Sequence, residues 1–260
     1  MEIKYSIQGI IIYAGMAAYL LAFILQLLRF RRIAYGIFIS AFIISTTSFI
    51  YRWYGVGHVP LQNLFELFIA MGASLYPLSY LSEKFLRINQ RSVDMLTGVA
   101  VLFPAGFILS ETPQHLPPAL QSEFFLPHVA VYILGYIFMF KASVAAVQTL
   151  LTARHNKIVY ETNTYRLIRT GLPLMAAGLV LGSVWAQFAW ADYFGWDPKE
   201  LWSLTTLLVY VGYFHWRYMF KQKYPQLNSL WALAGFAAVM ITLFWANLSR
   251  IFAGLHSYAA

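Results

Sequence analysis

The chain has 260 residues, of which 60% are hydrophobic and only 11% charged, with a mean hydropathy of +0.61 and a formal charge of +8. A soluble domain carries about a quarter charged residues, so the composition identifies an integral membrane protein. Cysteine is absent, which rules out disulfide scaffolds, thiolate metal sites and a thiol nucleophile supplied by this chain.

A membrane-spanning helix needs about 20 mostly apolar residues. Eight segments qualify, at 6–28, 33–51, 64–81, 92–110, 128–150, 170–190, 200–220 and 231–250, the third and fourth being short. The expected fold class is all-α: a polytopic helix bundle of about eight spans, forming a single domain over 1–260 without linkers or internal repeats. The stretch Met1–Leu28 has one lysine and an apolar run too long for a signal-peptide core. No small-residue cleavage site precedes Arg29, so it reads as a retained first span.

Lys and Arg set the orientation, because they concentrate on the cytoplasmic side. Arg29, Arg31 and Arg32 follow span 1; Lys84, Arg87 and Arg91 follow span 3. Arg154, Lys157, Arg166 and Arg169 follow span 5, and Arg217, Lys221 and Lys223 follow span 7. Thirteen of the 18 basic residues thus fall in alternate loops. The opposite side holds Lys4, Arg52, Lys199 and Arg250, and Lys141 lies within span 5. Both termini are expected outside. The basic charge is a topology signal, not a nucleic-acid footprint.

Between spans 6 and 7 lies the densest aromatic stretch, with Trp185, Phe188, Trp190, Tyr193, Phe194, Trp196 and Trp202 inside eighteen residues. On the topology above it faces the extracytoplasmic side. Two readings stay open for it. It is a belt of indoles at headgroup level, or a platform for a large planar ligand. Within it, Asp197-Pro198-Lys199-Glu200 predicts a helix start: Asp as N-cap, Pro at the first position, Glu closing a capping box. Lys199 is left to pair with an anion such as a haem propionate, or to snorkel.

Ionisable residues in or near spans point to function. His128 opens span 5 after Pro127, and His256 lies beyond span 8, both on the face of the tryptophan segment. Two neutral imidazoles are a common way to hold haem iron between apolar walls, though each alone also suits an interfacial polar residue. His215 lies seventeen residues after Pro198, ~25 Å along a helix starting there, which places it in the inner half of a core ~30 Å thick. It is either hydrogen-bonded to a neighbouring helix or an axial ligand. His58 and His115 are in outer loops, and His155 lies among arginines in an inner loop.

These residues resemble a known family. Gly182-Ser183-Val184-Trp185-Ala186, followed by Trp190, Tyr193, Trp196-Asp197-Pro198-Lys199-Glu200 and Trp202, resembles the WWD signature of haem-handling proteins. Gly57-His58-Val59-Pro60-Leu61 with Asn63 and Glu66, the histidine opening span 5, and Gly254-Leu255-His256-Ser257-Tyr258 narrow the resemblance to the CcsA/ResC type of the System II cytochrome c synthase. Ala191 stands where the family usually has Gly, Phe194 where it usually has Trp, and the chain is short for the family. The resemblance implies a haem-lyase subunit that receives haem b from the cytoplasmic side. It presents that haem at the outer face for thioether attachment to the CxxCH motif of apocytochrome c. His128 and His256 match the family's outer axial ligands, and His215 its membrane ligand, opposed by a CcsB/ResB-type partner subunit. Thiol-reducing proteins act indirectly, and the setting is a cytoplasmic (inner) or thylakoid-type membrane. His58 either binds haem or shapes the loop before span 3. The alternatives are a CcmC-like haem loader serving a chaperone, a cytochrome b-type electron carrier, and a solute transporter with an aromatic belt.

Overall fold

The structure, a computed structural model, describes residues 3–245, the side chains of Arg154, His155 and Trp245 excepted. His256 and its Gly-Leu-His-Ser-Tyr segment lie outside the described residues. Among those described there are eight α-helices and no strand: α1 (Ile7–Leu27), α2 (Arg31–Val56), α3 (Leu64–Leu86), α4 (Arg91–Phe107), α5 (Phe125–Leu151), α6 (Arg154–Trp190), α7 (Pro198–Phe220) and α8 (Pro225–Met240). A 3-10 turn, Pro118–Leu120, precedes α5, and a π-helical turn, Ile241–Trp245, continues α8. The protein is a multi-pass membrane helix bundle: α1, α2, α3, α5, α6 and α8 with its π turn are each long and apolar enough to cross a membrane. The 17 residues of α4 reach only ~26 Å at 1.5 Å per residue, and α7 is diluted by its Trp, Tyr, Thr and charged residues.

The chain divides into two compact units, Met1–Pro117 and Pro118–Ala260. In the first, α1 to α4 form a ring in which α1 packs on α2 and α4, and α3 on α2 and α4. Tyr19 is at its centre and fully buried. Its hydroxyl donates to the Gly72 carbonyl at 2.7 Å, and its ring fills the space where Gly98 would carry a Cβ. Such small-residue contacts are how helices approach closely in lipid, where burial of apolar surface gives no drive.

A buried charge pair closes one end of that ring. Arg52 on α2 donates to Glu66 on α3 at 3.0 Å through Nε, and its other arm donates to the Glu111 carbonyl at 2.6 Å. Glu66 also accepts from the Gln62 amide at 2.9 Å, while Asn63 caps α3 by accepting from the Glu66 amide at 3.0 Å. The Gly57–Glu66 motif thus forms the turn from α2 into α3. Gly57 ends α2 at φ +75°, in the left-handed region that glycine tolerates.

In the second unit α5 packs along α6 and against α8, and α8 packs on α7. Here the structure departs from the expected segment 170–190. The helix is continuous from Arg154, so Arg154, Lys157, Arg166 and Arg169 belong to a helix and not to a loop. The reason is a partner for the acid among them. Glu161 is fully buried and accepts from Arg217 through Nε at 2.7 Å and through the guanidinium NH2 at 3.1 Å. Asn228 Nδ2 and Gln222 Nε2 donate to the same carboxylate at 2.8 Å and 3.2 Å. Arg217 also covers the Tyr165 ring at 3.8 Å. A charged first third of α6 is thus held against α7 and α8 by one carboxylate.

Candidate functional site

The start of α7 is as the tetrapeptide dictates. Asp197 accepts from the Glu200 amide at 2.9 Å, Glu200 accepts from the Asp197 amide at 3.3 Å, and Pro198 takes the first helical position. Asp197 is therefore occupied as a cap, and it contributes to the site by fixing where Trp196 and Trp202 leave the helix start. Lys199 lies beside it in the first turn, ahead of the span expected at 200–220. Burial pulls its ammonium down to about 8, and the Asp197 charge opposes that fall.

Entry to this turn is strained on both sides. Ala191, which ends α6, takes φ +59°, and Trp196 takes φ +55°. For residues with a Cβ this left-handed backbone costs about 1–2 kcal/mol each. The first of these positions is where the chain carries Ala191 against the glycine that the resemblance implies. At the second, the Trp196 indole is carried outward, 66% exposed, with its ring edge-on to Phe194 at 4.9 Å. Tyr193 is also exposed, and Trp202 is half-buried in the first turns of α7.

Trp185 differs from the others. It is only 1% exposed, and its indole N–H donates to the Ala119 carbonyl at 2.7 Å. Trp190 packs edge-on to it at 4.8 Å, and Phe125 at 5.5 Å. Against this wall lies His128, in the first turn of α5. Its imidazole stacks on Trp185 at 5.7 Å with an interplanar angle of 21°, and meets Tyr132 edge-on at 5.1 Å. His128 Nδ1 is 2.8 Å from the Gly178 carbonyl. A carbonyl only accepts, so this bond needs a proton on Nδ1 and leaves the lone pair of the neutral ring on Nε2. That is the arrangement found at imidazoles that ligate iron, whose second nitrogen donates to a carbonyl or carboxylate. The residues present therefore fit a haem ligand at this place.

His215 shows the same use of its ring. Its Nδ1 is 2.9 Å from the Val211 carbonyl one turn back, and the side chain is exposed on the surface of α7. The helix starts at Pro198, as the distance along it assumed, but the ring points away from the interior of its own unit. His215 and His128 are therefore separate positions. His58 belongs to the first unit, where its Nδ1 is 3.1 Å from the Val59 carbonyl and its buried Nε2 has no hydrogen-bond partner. His115 contributes its carbonyl, which accepts from Gln62 Nε2 at 3.1 Å. Among the described residues no three His, Asp or Glu side chains come together as a metal cluster.

Sequence reasoning missed three parts of this site: the room that Gly178 and Gly182 (the latter named only as part of the tryptophan motif) make for the Tyr132 and His128 rings; the Ala119 carbonyl; and the Glu161–Arg217 pair that holds α7. The glycines left a signal, since Gly171, Gly178 and Gly182 follow spacings of seven and four along one helix face.

The profile of the family described as "Cytochrome C assembly protein" matches residues 61–253. A cytochrome c biogenesis protein CcsA of Atropa belladonna is 31% identical over 303 residues, covering 100% of this chain and 95% of its own. The CcsA protein of Solanum tuberosum is likewise 31% identical, with the same shares covered. That of Chlamydomonas reinhardtii is 33% identical over 224 residues, covering 80% of this chain and 63% of its own.

Proposed function

The chain belongs to the cytochrome c assembly family and is a CcsA-type cytochrome c biogenesis protein, and from that premise we propose that it carries haem b across the membrane and presents it for covalent attachment to apocytochrome c. The observation that carries this reading is His128, braced on Trp185 and turned by the Gly178 carbonyl so that Nε2 holds the lone pair. His256 supplies the opposite axial ligand at the extracytoplasmic face. His215 serves the haem earlier, within the membrane, where its outward-facing ring meets a ligand from a CcsB/ResB-type partner subunit.

Haem is the substrate here, so the protein must hold it without reacting with it. Trp190, Trp196 and Trp202 with Tyr193 supply apolar walls, Trp185 backs the His128 ring, and Lys199 pairs with a propionate. Each thiol of the CxxCH motif adds across one vinyl group: an S–C bond forms, the thiol proton goes to the other vinyl carbon, and no net electrons are exchanged. Thiol-reducing proteins keep those thiols available. The histidine of the motif then replaces one of the protein's own imidazoles. A cysteine-free chain offers no competing thiol. The haem-lyase activity belongs to the chain with its partner subunit, in a cytoplasmic or thylakoid-type membrane.

The test is the absorption spectrum of the detergent-purified complex, wild type against His128→Ala and His256→Ala. A b-type haem spectrum lost or shifted in either variant and restored by added imidazole is the expected result. A complex that never retains haem refutes the reading.

A further inference from the structure

Along the face where α5 meets α6, side chains and glycines alternate in register. The ring of His128 lies against Gly182 and that of Tyr132 against Gly178, while Gly135 faces Met175 and Gly171 faces Phe138. The pairs run in opposite directions along the two helices, so this is one antiparallel seam. At its outer end the fit is closest. A Cβ on Gly182 would stand 2.5 Å from His128 Cε1 and 2.7 Å from Nδ1, and a Cβ on Gly178 would stand 2.7 Å from the Tyr132 ring.

The atoms crowded at Gly182 are the ones that matter for the ring's chemistry. Nδ1 makes the 2.8 Å bond to the Gly178 carbonyl, and Cε1 is bonded to both nitrogens, so moving it moves Nε2. Trp185 stacks on one face of the ring, and Tyr132 meets it with an interplanar angle of 79°. We infer that Gly178 and Gly182 are positioning residues for His128, forming a slot on α6 that selects the Nδ1–H tautomer and fixes the direction in which Nε2 points. The inference rests on the proposed role of His128 as a haem ligand. Gly178 acts through its carbonyl, and through the room it gives Tyr132. Gly182 acts through the absence of a side chain. Neither touches the substrate.

The first readout needs no haem. The haem-free protein is labelled with 15N-histidine, and the His128 signals are assigned by their loss in His128→Gln. The wild-type ring is expected as Nδ1–H. Gly182→Ala should shift it toward the Nε2–H form, whereas Gly171→Ala, which crowds the same seam 2.8 Å from Phe138 Cβ, should not. In the complex, Gly182→Ala is expected to weaken haem retention about 10- to 100-fold, the usual effect of disturbing a ligand's supporting hydrogen bond. Added imidazole should restore the spectrum.

A wild-type ring in the Nε2–H form overturns the inference, as does a Gly182→Ala protein that keeps both the Nδ1–H signal and full haem retention. Where Gly182→Ala fails to fold, the double variant Gly182→Ala/His128→Ala decides: recovered folding identifies the clash with the ring, and continued failure overturns it. Absence of haem from the wild-type complex would refute the proposed function, while the tautomer would still decide the slot.

Discussion

Replacement of Glu161 by Ala should destabilise the second unit by about 3 kcal/mol. The carboxylate is 0% exposed and accepts four hydrogen bonds, two of them from Arg217. Two of its partners have other acceptors: Asn228 Nδ2 also donates to the Lys221 carbonyl, and Gln222 Nε2 to Thr162 Oγ1, both at 2.8 Å. The group left uncompensated is the guanidinium. Removing one member of a buried pair costs about 3–5 kcal/mol, and the lower end applies because the Arg217 side chain keeps 15% of its exposure. The double variant Glu161→Leu/Arg217→Met leaves no orphan charge and should cost less than Glu161→Leu alone, giving a coupling energy of about 2 kcal/mol. Denaturant unfolding of the purified protein, followed by tryptophan fluorescence, measures all four corners of the cycle. Additive losses would show that the pair is not coupled and that α7 is held by something else. His215 lies two residues before Arg217, so haem retention by the complex should fall with stability in the single variant and recover in the double.

Asp197→Ala removes the cap of α7 and should cost about 1 kcal/mol in the same unfolding assay, with Asp197→Ser recovering most of it; a Ser variant as unstable as Ala would mean the carboxylate does more than cap. Ala191→Gly relieves a left-handed backbone at φ +59° and should raise stability by about 1 kcal/mol; a loss would show that the Ala191 methyl makes a packing contact worth more than the strain. Lys199 has its folded-state pKa lowered from 10.5 to about 8 by burial, so keeping it protonated opposes folding below that pH, and stability should rise from pH 8 toward 10.5. Lys199→Met should therefore be stabilising at pH 7 and lose that advantage only above about pH 11, where both folded and unfolded lysine are neutral; a pH-independent difference between the two proteins contradicts the assignment.

What the sequence made legible follows from how local each signal is. Apolar runs specify helices wherever the chain must satisfy its backbone without water, so α1, α2, α3 and α5 lie where composition puts them. The start of α7 was equally legible, because Asp-Pro-Lys-Glu encodes its own cap. The start of α6 was not. Arg154, Lys157, Arg166 and Arg169 read as a loop because charge was taken as a mark of water, yet Glu161 finds its partners on α7 and α8, some 56 to 67 residues away. No local pattern carries that pairing.

The tryptophan segment divides in the same way. Belt and platform were both framed as surfaces, and Trp196 and Tyr193 are indeed exposed, but Trp185 is buried with its N–H committed to the Ala119 carbonyl. It is the wall behind His128. A wall can be rigid only if the helices that carry ring and imidazole stand close, and that closeness is set by residues with no side chain. The chemistry-bearing types were visible one by one, and the glycines as a spacing along α6, but which ring each glycine faces became visible only when α5 and α6 were brought together.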